Sequence, residues 1–130
     1  MRIIQQQNNF SFLQESLDFL KEIYALTKIF PIEEKNGLIS KLRESAINIA
    51  SGISKWKSQH LKKNKTQYLY FSLDNANEIE ALLLISHSLK YITKDQFDTN
   101  TSGIHRIIIM LSELIRKAEH KEKLIEQNDN

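Results

Sequence analysis

A chain of 130 residues with one proline, three glycines and no cysteine has room for one domain and few points where a helix must break. The missing cysteine excludes disulfides and thiolate metal sites, while 41% hydrophobic and 26% charged residues exclude wholesale disorder. A formal net charge of +2 is too small to assign a class of partner to the chain as a whole.

Four segments carry helical periodicity. In the first, Phe10, Leu13, Leu17, Leu20, Tyr24 and Thr27 recur at steps of three and four, which lines up one helix face. Pro31 disfavours helical geometry at Phe30, so this helix is expected to stop near Ile29. The second runs from about Glu33 to Ser58. Leu38, Leu42, Ser45, Ile49, Gly52 and Trp56 share its face, with Ile39, Ala46 and Ile53 beside them. Ser45, Ala46, Ala50 and Gly52 are small, either merely tolerated or there to admit a close neighbour.

The third segment, about Lys65 to Lys90, holds Tyr68, Phe71, Ile79, Leu82, Leu83 and Leu89 and an unbroken apolar run from Ala81 to Ile85. Thr93 and Gln96 have capping-box spacing and mark the start of the fourth. There Phe97, Thr101, Ile104, Ile108, Leu111, Ile115 and Ala118 keep one register through Gly103, so one helix is expected to about Lys121. Ile107 to Leu111 also has the β-branched content of a strand, but the register on both sides favours helix. The expected domain plan is an N-terminal extension over 1–9, a bundle over 10–122 and a flexible tail over 123–130. Short connections make successive helices antiparallel, so the fold class is all-α, an up-and-down four-helix bundle.

A five-residue apolar run wraps more than one helical turn and cannot all face a single neighbour. The runs in the third and fourth segments leave two readings. One is a thick core with scattered surface residues; the other is a subunit interface, which makes the chain a homo-oligomer.

Catalytic and metal constellations are not evident. His60, His87, His105 and His120 have no three- or four-residue spacing among them, and Gly37, Gly52 and Gly103 are isolated. Ser86 and His87 are adjacent on a helix and point apart. No enzyme activity and no cofactor are expected. Arg43 with Glu78 or Glu80 is a candidate structural ion pair between the second and third helices, against the reading of solvated charges. The opening MRIIQQQNNF lacks a leader's apolar stretch, and no run approaches the roughly 20 apolar residues that span a membrane, so a cytoplasmic location without membrane contact is expected.

The segment KWKSQHLKKNK carries Lys55, Lys57, Lys62, Lys63 and Lys65 with no acid, together with Trp56 and His60. It reads either as a solvated turn whose lysines complement a helix dipole, or as a phosphate-contacting patch with Trp56 stacking or packing. Repetition around an oligomer would multiply its field.

IYALTKIFPIEEKNGLISKLRESAINIASGI (Ile23 to Ile53) resembles the signature of the bacterial four-helix bundle proteins also called 23S rRNA intervening-sequence proteins. The pattern YxLTxxFPxEExxGL falls on Tyr24, Leu26, Thr27, Phe30, Pro31, Glu33, Glu34, Gly37 and Leu38, with Arg43 beyond it. NEIEALLL is similar to that family's Glu-Leu-Glu motif at Glu78 and Glu80, and Leu89, Tyr91 and Ile92 match its turn. The resemblance, over about Leu17 to Ala118, implies a homopentameric barrel and no established activity. The family's Asn-Ile-Ala-Glu-Gly is set against Gly52, Ile53, Ser54, Lys55 and Trp56, which makes that corner more basic. This is similar to a related branch, the accessory proteins of diversity-generating retroelements, and implies nucleic acid and a reverse transcriptase as partners. The leading expectation is an oligomer that binds RNA or other nucleic acid electrostatically. A retroelement accessory and a structural protein-interaction module without nucleic-acid affinity are its rivals.

Overall fold

Thr27 ends the first helix while its side chain still serves it: the hydroxyl donates to the Ile23 carbonyl at 2.8 Å, and after one tight turn that closes the Phe30 N–H on the Thr27 carbonyl, Pro31 stops the helix from continuing. The computed structural model describes the backbone of residues 2–59 and 65–129 and the side chains of 11–59 and 65–128. It contains α1 (Arg2–Thr27), a short turn of 3₁₀ and wider helix over Ile32–Ile39, α2 (Ser40–Ser58), α3 (Thr66–Ser88) and α4 (Lys94–Asp129). Ile107 to Leu111 lies within α4, so the strand alternative is set aside. Each helix packs on its neighbours in the chain, and α4 returns to α1.

The helix ends follow local chemistry. Glu34 accepts from the Leu38 N–H at 3.4 Å and leads the chain into α2 around Gly37, whose backbone leaves helical geometry. Thr93 and Gln96 cap α4 reciprocally: the Gln96 N–H donates to Thr93 Oγ1 at 3.1 Å, and the Thr93 N–H donates to Gln96 Oε1 at 2.9 Å. At the end of α3, Lys90 adopts φ 65°, the Lys90 N–H donates to the His87 carbonyl and the Tyr91 N–H to that of Ser86, both at 3.0 Å. This is a Schellman closure with lysine where glycine is usual.

The core joins Phe19, Ile23 and Leu26 of α1 to Leu42, Ile49 and Ile53 of α2, Leu69, Ile79 and Leu83 of α3, and Ile104, Leu111 and Ile115 of α4. The expected face of α2 is buried throughout. Gly52 shows why a small residue is needed there. A Cβ on it would lie 2.0 Å from Ser72 Oγ and 2.7 Å from the Tyr68 carbonyl oxygen.

Three expectations need correction. The buried face of α1 is Ser16, Phe19, Ile23, Leu26 and Thr27, while Leu13, Leu17, Leu20 and Tyr24 are only partly covered. Two apolar stripes run along α1, and the one carrying Phe19 meets α4, where Gly103 lets it approach. On α3, Phe71 and Leu89 turn outward. Helical backbone also passes the expected boundaries: α1 starts at Arg2, and α4 runs on to Asp129 instead of stopping near Lys121.

Candidate nucleic-acid interface

The last turn of α2 ends in Lys55, Trp56 and Lys57, followed by closure of the Gln59 N–H on the Lys55 carbonyl at 3.1 Å. Successive helical side chains diverge by about 100°. With Trp56 turned into the core, the two lysines therefore leave on opposite sides of it. Lys55 is exposed and Lys57 half-buried. Both lie where cations complement the negative end of the helix dipole. Lys62 and Lys63 lie outside the described residues.

Lys65 stands at the start of α3. Its ammonium sits 5.3 Å from the centroid of the Trp56 ring, a cation–π contact that joins the end of α2 to the start of α3. Partial burial holds its pKa below the usual lysine value, the nearby Lys121 ammonium lowers it further, and Glu122 opposes both. Lys121 comes from α4, so the structure adds a cation that lies far away in the sequence. Trp56 is only 9% exposed, and its Nε1 finds no hydrogen-bond partner among the described residues. The indole therefore packs and is not presented for base stacking.

The expected pairing of Arg43 with Glu78 or Glu80 is not the arrangement found. Arg43 turns to α1, where Nε donates to Thr27 Oγ1 at 2.9 Å, Nη2 to the Tyr24 carbonyl at 3.5 Å, and the guanidinium lies 4.5 Å from the centroid of the Tyr24 ring. The reason is placement: Glu80 faces α4 and contacts His105, and Glu78 lies exposed on α3. Tyr24, Thr27 and Arg43, three of the signature positions, thus form one node between α1 and α2. No sequence signal singles out this node, because it depends on which stripe of α1 faces inward.

The packing of α2 bears on the family motif as well. Asn48, Ile49, Ala50, Ser51 and Gly52 fit Asn-Ile-Ala-Glu-Gly better than Gly52 to Trp56 does, with the acid replaced by Ser51. The close approach of Ser72 and the Tyr68 carbonyl supplies the physical reason for the glycine. Lys55 and Trp56 lie beyond that motif and are not departures from it.

Among the described residues, no helix is long and apolar enough to cross a membrane. No curated protein matches the chain. Among solved structures, the chain is similar to a protein of unknown function from the S23 ribosomal protein family of Bacteroides thetaiotaomicron. The TM-score is 0.76 at 23% identity, covering 84% of this chain and 98% of that one. That likeness supports the bundle fold. Residues 8–113 match the sequence profile described as 23S rRNA-intervening sequence protein. Most of the chain is spanned by that match, and the signature runs from Tyr24 through Arg43 to Glu78 and Glu80 in the expected order; the chain belongs to the 23S rRNA-intervening sequence protein family.

Proposed function

We propose that the protein is a non-enzymatic homo-oligomer that holds RNA or another nucleic acid electrostatically at the α2–α3 end of its bundle. The observation that carries this reading is the crowding of cations there. Lys55, Lys57 and Lys65 surround Trp56, Lys121 approaches from α4, and the connecting sequence from Lys55 to Lys65 contains no acid. The Lys65 ammonium, disfavoured by burial and then by the Lys121 charge, is relieved by a bound anion, and a phosphate backbone supplies anions in series. Lys62 and Lys63 belong to the same segment and are counted with it.

Self-association is supported by the outward apolar residues of α3 and α4. Leu84 is 61% and Ile109 62% exposed in the single chain. Covering them with further copies brings several basic turns together and raises the field that each phosphate meets.

Binding of a fluorescent RNA followed through a salt titration tests the reading. Affinity is expected to fall log-linearly with salt. Lys62→Gln combined with Lys63→Gln and Lys65→Gln should lower the slope by about one for each phosphate that is no longer neutralised. Absent or salt-independent binding would overturn the reading. The same exposed apolar side chains would then favour a protein-interaction module, and co-purification of a reverse transcriptase would mark a retroelement accessory.

A further inference from the structure

Two charges of the family signature have no opposite partner among the described residues, and they lie at the same height. The Arg43 guanidinium is fixed on Tyr24 and Thr27, but meets no carboxylate among the described residues, and no described residue takes its Nη1. Glu78 is exposed, with neither a hydrogen bond nor an ion pair among the described residues.

The register of α2 against α3 sets their level. Ser72 Oγ donates to the Ile49 carbonyl at 2.9 Å, and Asn48 Nδ2 donates to Asn75 Oδ1 at 3.2 Å. The helices are antiparallel, so stepping back from Ile49 along α2 matches stepping forward from Ser72 along α3. Six residues in each direction reach Arg43 and Glu78. Yet they occupy different flanks. Arg43 is turned toward α1, whereas Glu78 lies on the outer surface between Asn75, which meets α2, and Glu80, which meets α4.

Each charge also sits beside exposed apolar side chains. Phe71 and Ile85 lie seven residues on either side of Glu78, along one stripe of α3. Ile47 stands exposed one turn beyond Arg43. Arg43 and Glu78 are opposite in charge, and each has exposed apolar side chains beside it to bury in a contact.

We infer that Glu78 of one copy pairs with Arg43 of the next, with Phe71 and Ile85 of the first copy covering Ile47 of the second. This rests on the self-association in the proposed function and adds to its outward residues, Leu84 and Ile109, one pair of faces on α3 and α2 that meet. The contact joins two different surfaces of the same chain, so it propagates head to tail; equal heights keep successive copies level, which favours closure into a ring over a rising filament. The guanidinium, held beside the Tyr24 ring and bonded through Nε and Nη2, keeps Nη1 for a carboxylate.

Sedimentation and light scattering of the full chain test the pairing. Glu78→Arg leaves the Arg43 strap to α1 untouched and is expected to weaken assembly about tenfold or more, and Glu78→Gln to weaken it less, because only the former introduces repulsion. A chain carrying both R43E and E78R should recover assembly relative to E78R alone, with circular dichroism confirming its helices. Wild-type protein that is monomeric would overturn the assembly itself. A wild-type oligomer that Glu78→Arg leaves intact, or a helical double variant no better assembled than E78R, would overturn the pairing alone.

Discussion

Gly52 and Ser72 show how much a single atom decides where α2 meets α3. The Gly52 Cβ position is blocked by a side-chain oxygen and by the Tyr68 backbone carbonyl, and the second obstacle cannot rotate away. Gly52→Ala should therefore destabilise by about 1–3 kcal/mol in denaturant unfolding, despite alanine's better helix propensity. An unchanged midpoint would contradict this packing. Tyr70 offers a titration at the same scale. Its hydroxyl donates to the Glu119 carboxylate, which, with lesser contributions from desolvation and from the acid's charge, raises the phenol above its usual 10.0. The hydrogen bond stabilises the fold below the ordinary phenol pKa and is lost as pH rises through the raised one. Ultraviolet titration, differenced against Tyr70→Phe, should show this raised value, and Glu119→Gln should return it toward normal. Lys65 has the opposite sign. Burial disfavours its charged form, so that cost is present below its lowered pKa and relieved as pH climbs toward 10.5.

Among elements, the ends are most legible in sequence where one residue type dictates the geometry. Pro31 stops α1, and Thr93 with Gln96 starts α4, both by contacts within four residues. The end of α3 is legible in position only; the left-handed Lys90 is not visible in a sequence that offers no glycine there. A Cβ in that conformation costs about 1–2 kcal/mol. Lys90→Gly is accordingly expected to raise stability by roughly 1 kcal/mol, less the added freedom of the unfolded chain, and a lower melting temperature would contradict the strain. The inward face of α1 escapes a sequence reading because two stripes of similar hydropathy compete and only packing against α4 chooses between them. The Arg43 contact escapes it for the same reason, since its partner Thr27 is set by that choice.

At the scale of the whole molecule, the four-helix plan follows from periodicity and scarce breakers, whereas the basic site is half legible. The lysines between Lys55 and Lys65 are close enough in sequence to notice, but Lys121 comes near Lys65 only through the fold, and burial of Trp56 decides its role as packing. The two surplus apolar runs are divided by the fold: Leu82, Leu83, Ile107, Met110 and Leu111 enter the core, while Leu84 and Ile109 stay exposed and carry the proposed assembly. The central claim, that copies associate and bring their basic turns to bear on one nucleic acid, is met most directly by light scattering of purified protein coupled to absorbance at two wavelengths. A mass of several chains is expected, with added RNA carried in the same peak at low salt and released at high salt. A single-chain mass at micromolar concentration, with RNA eluting apart at every salt concentration, would contradict it.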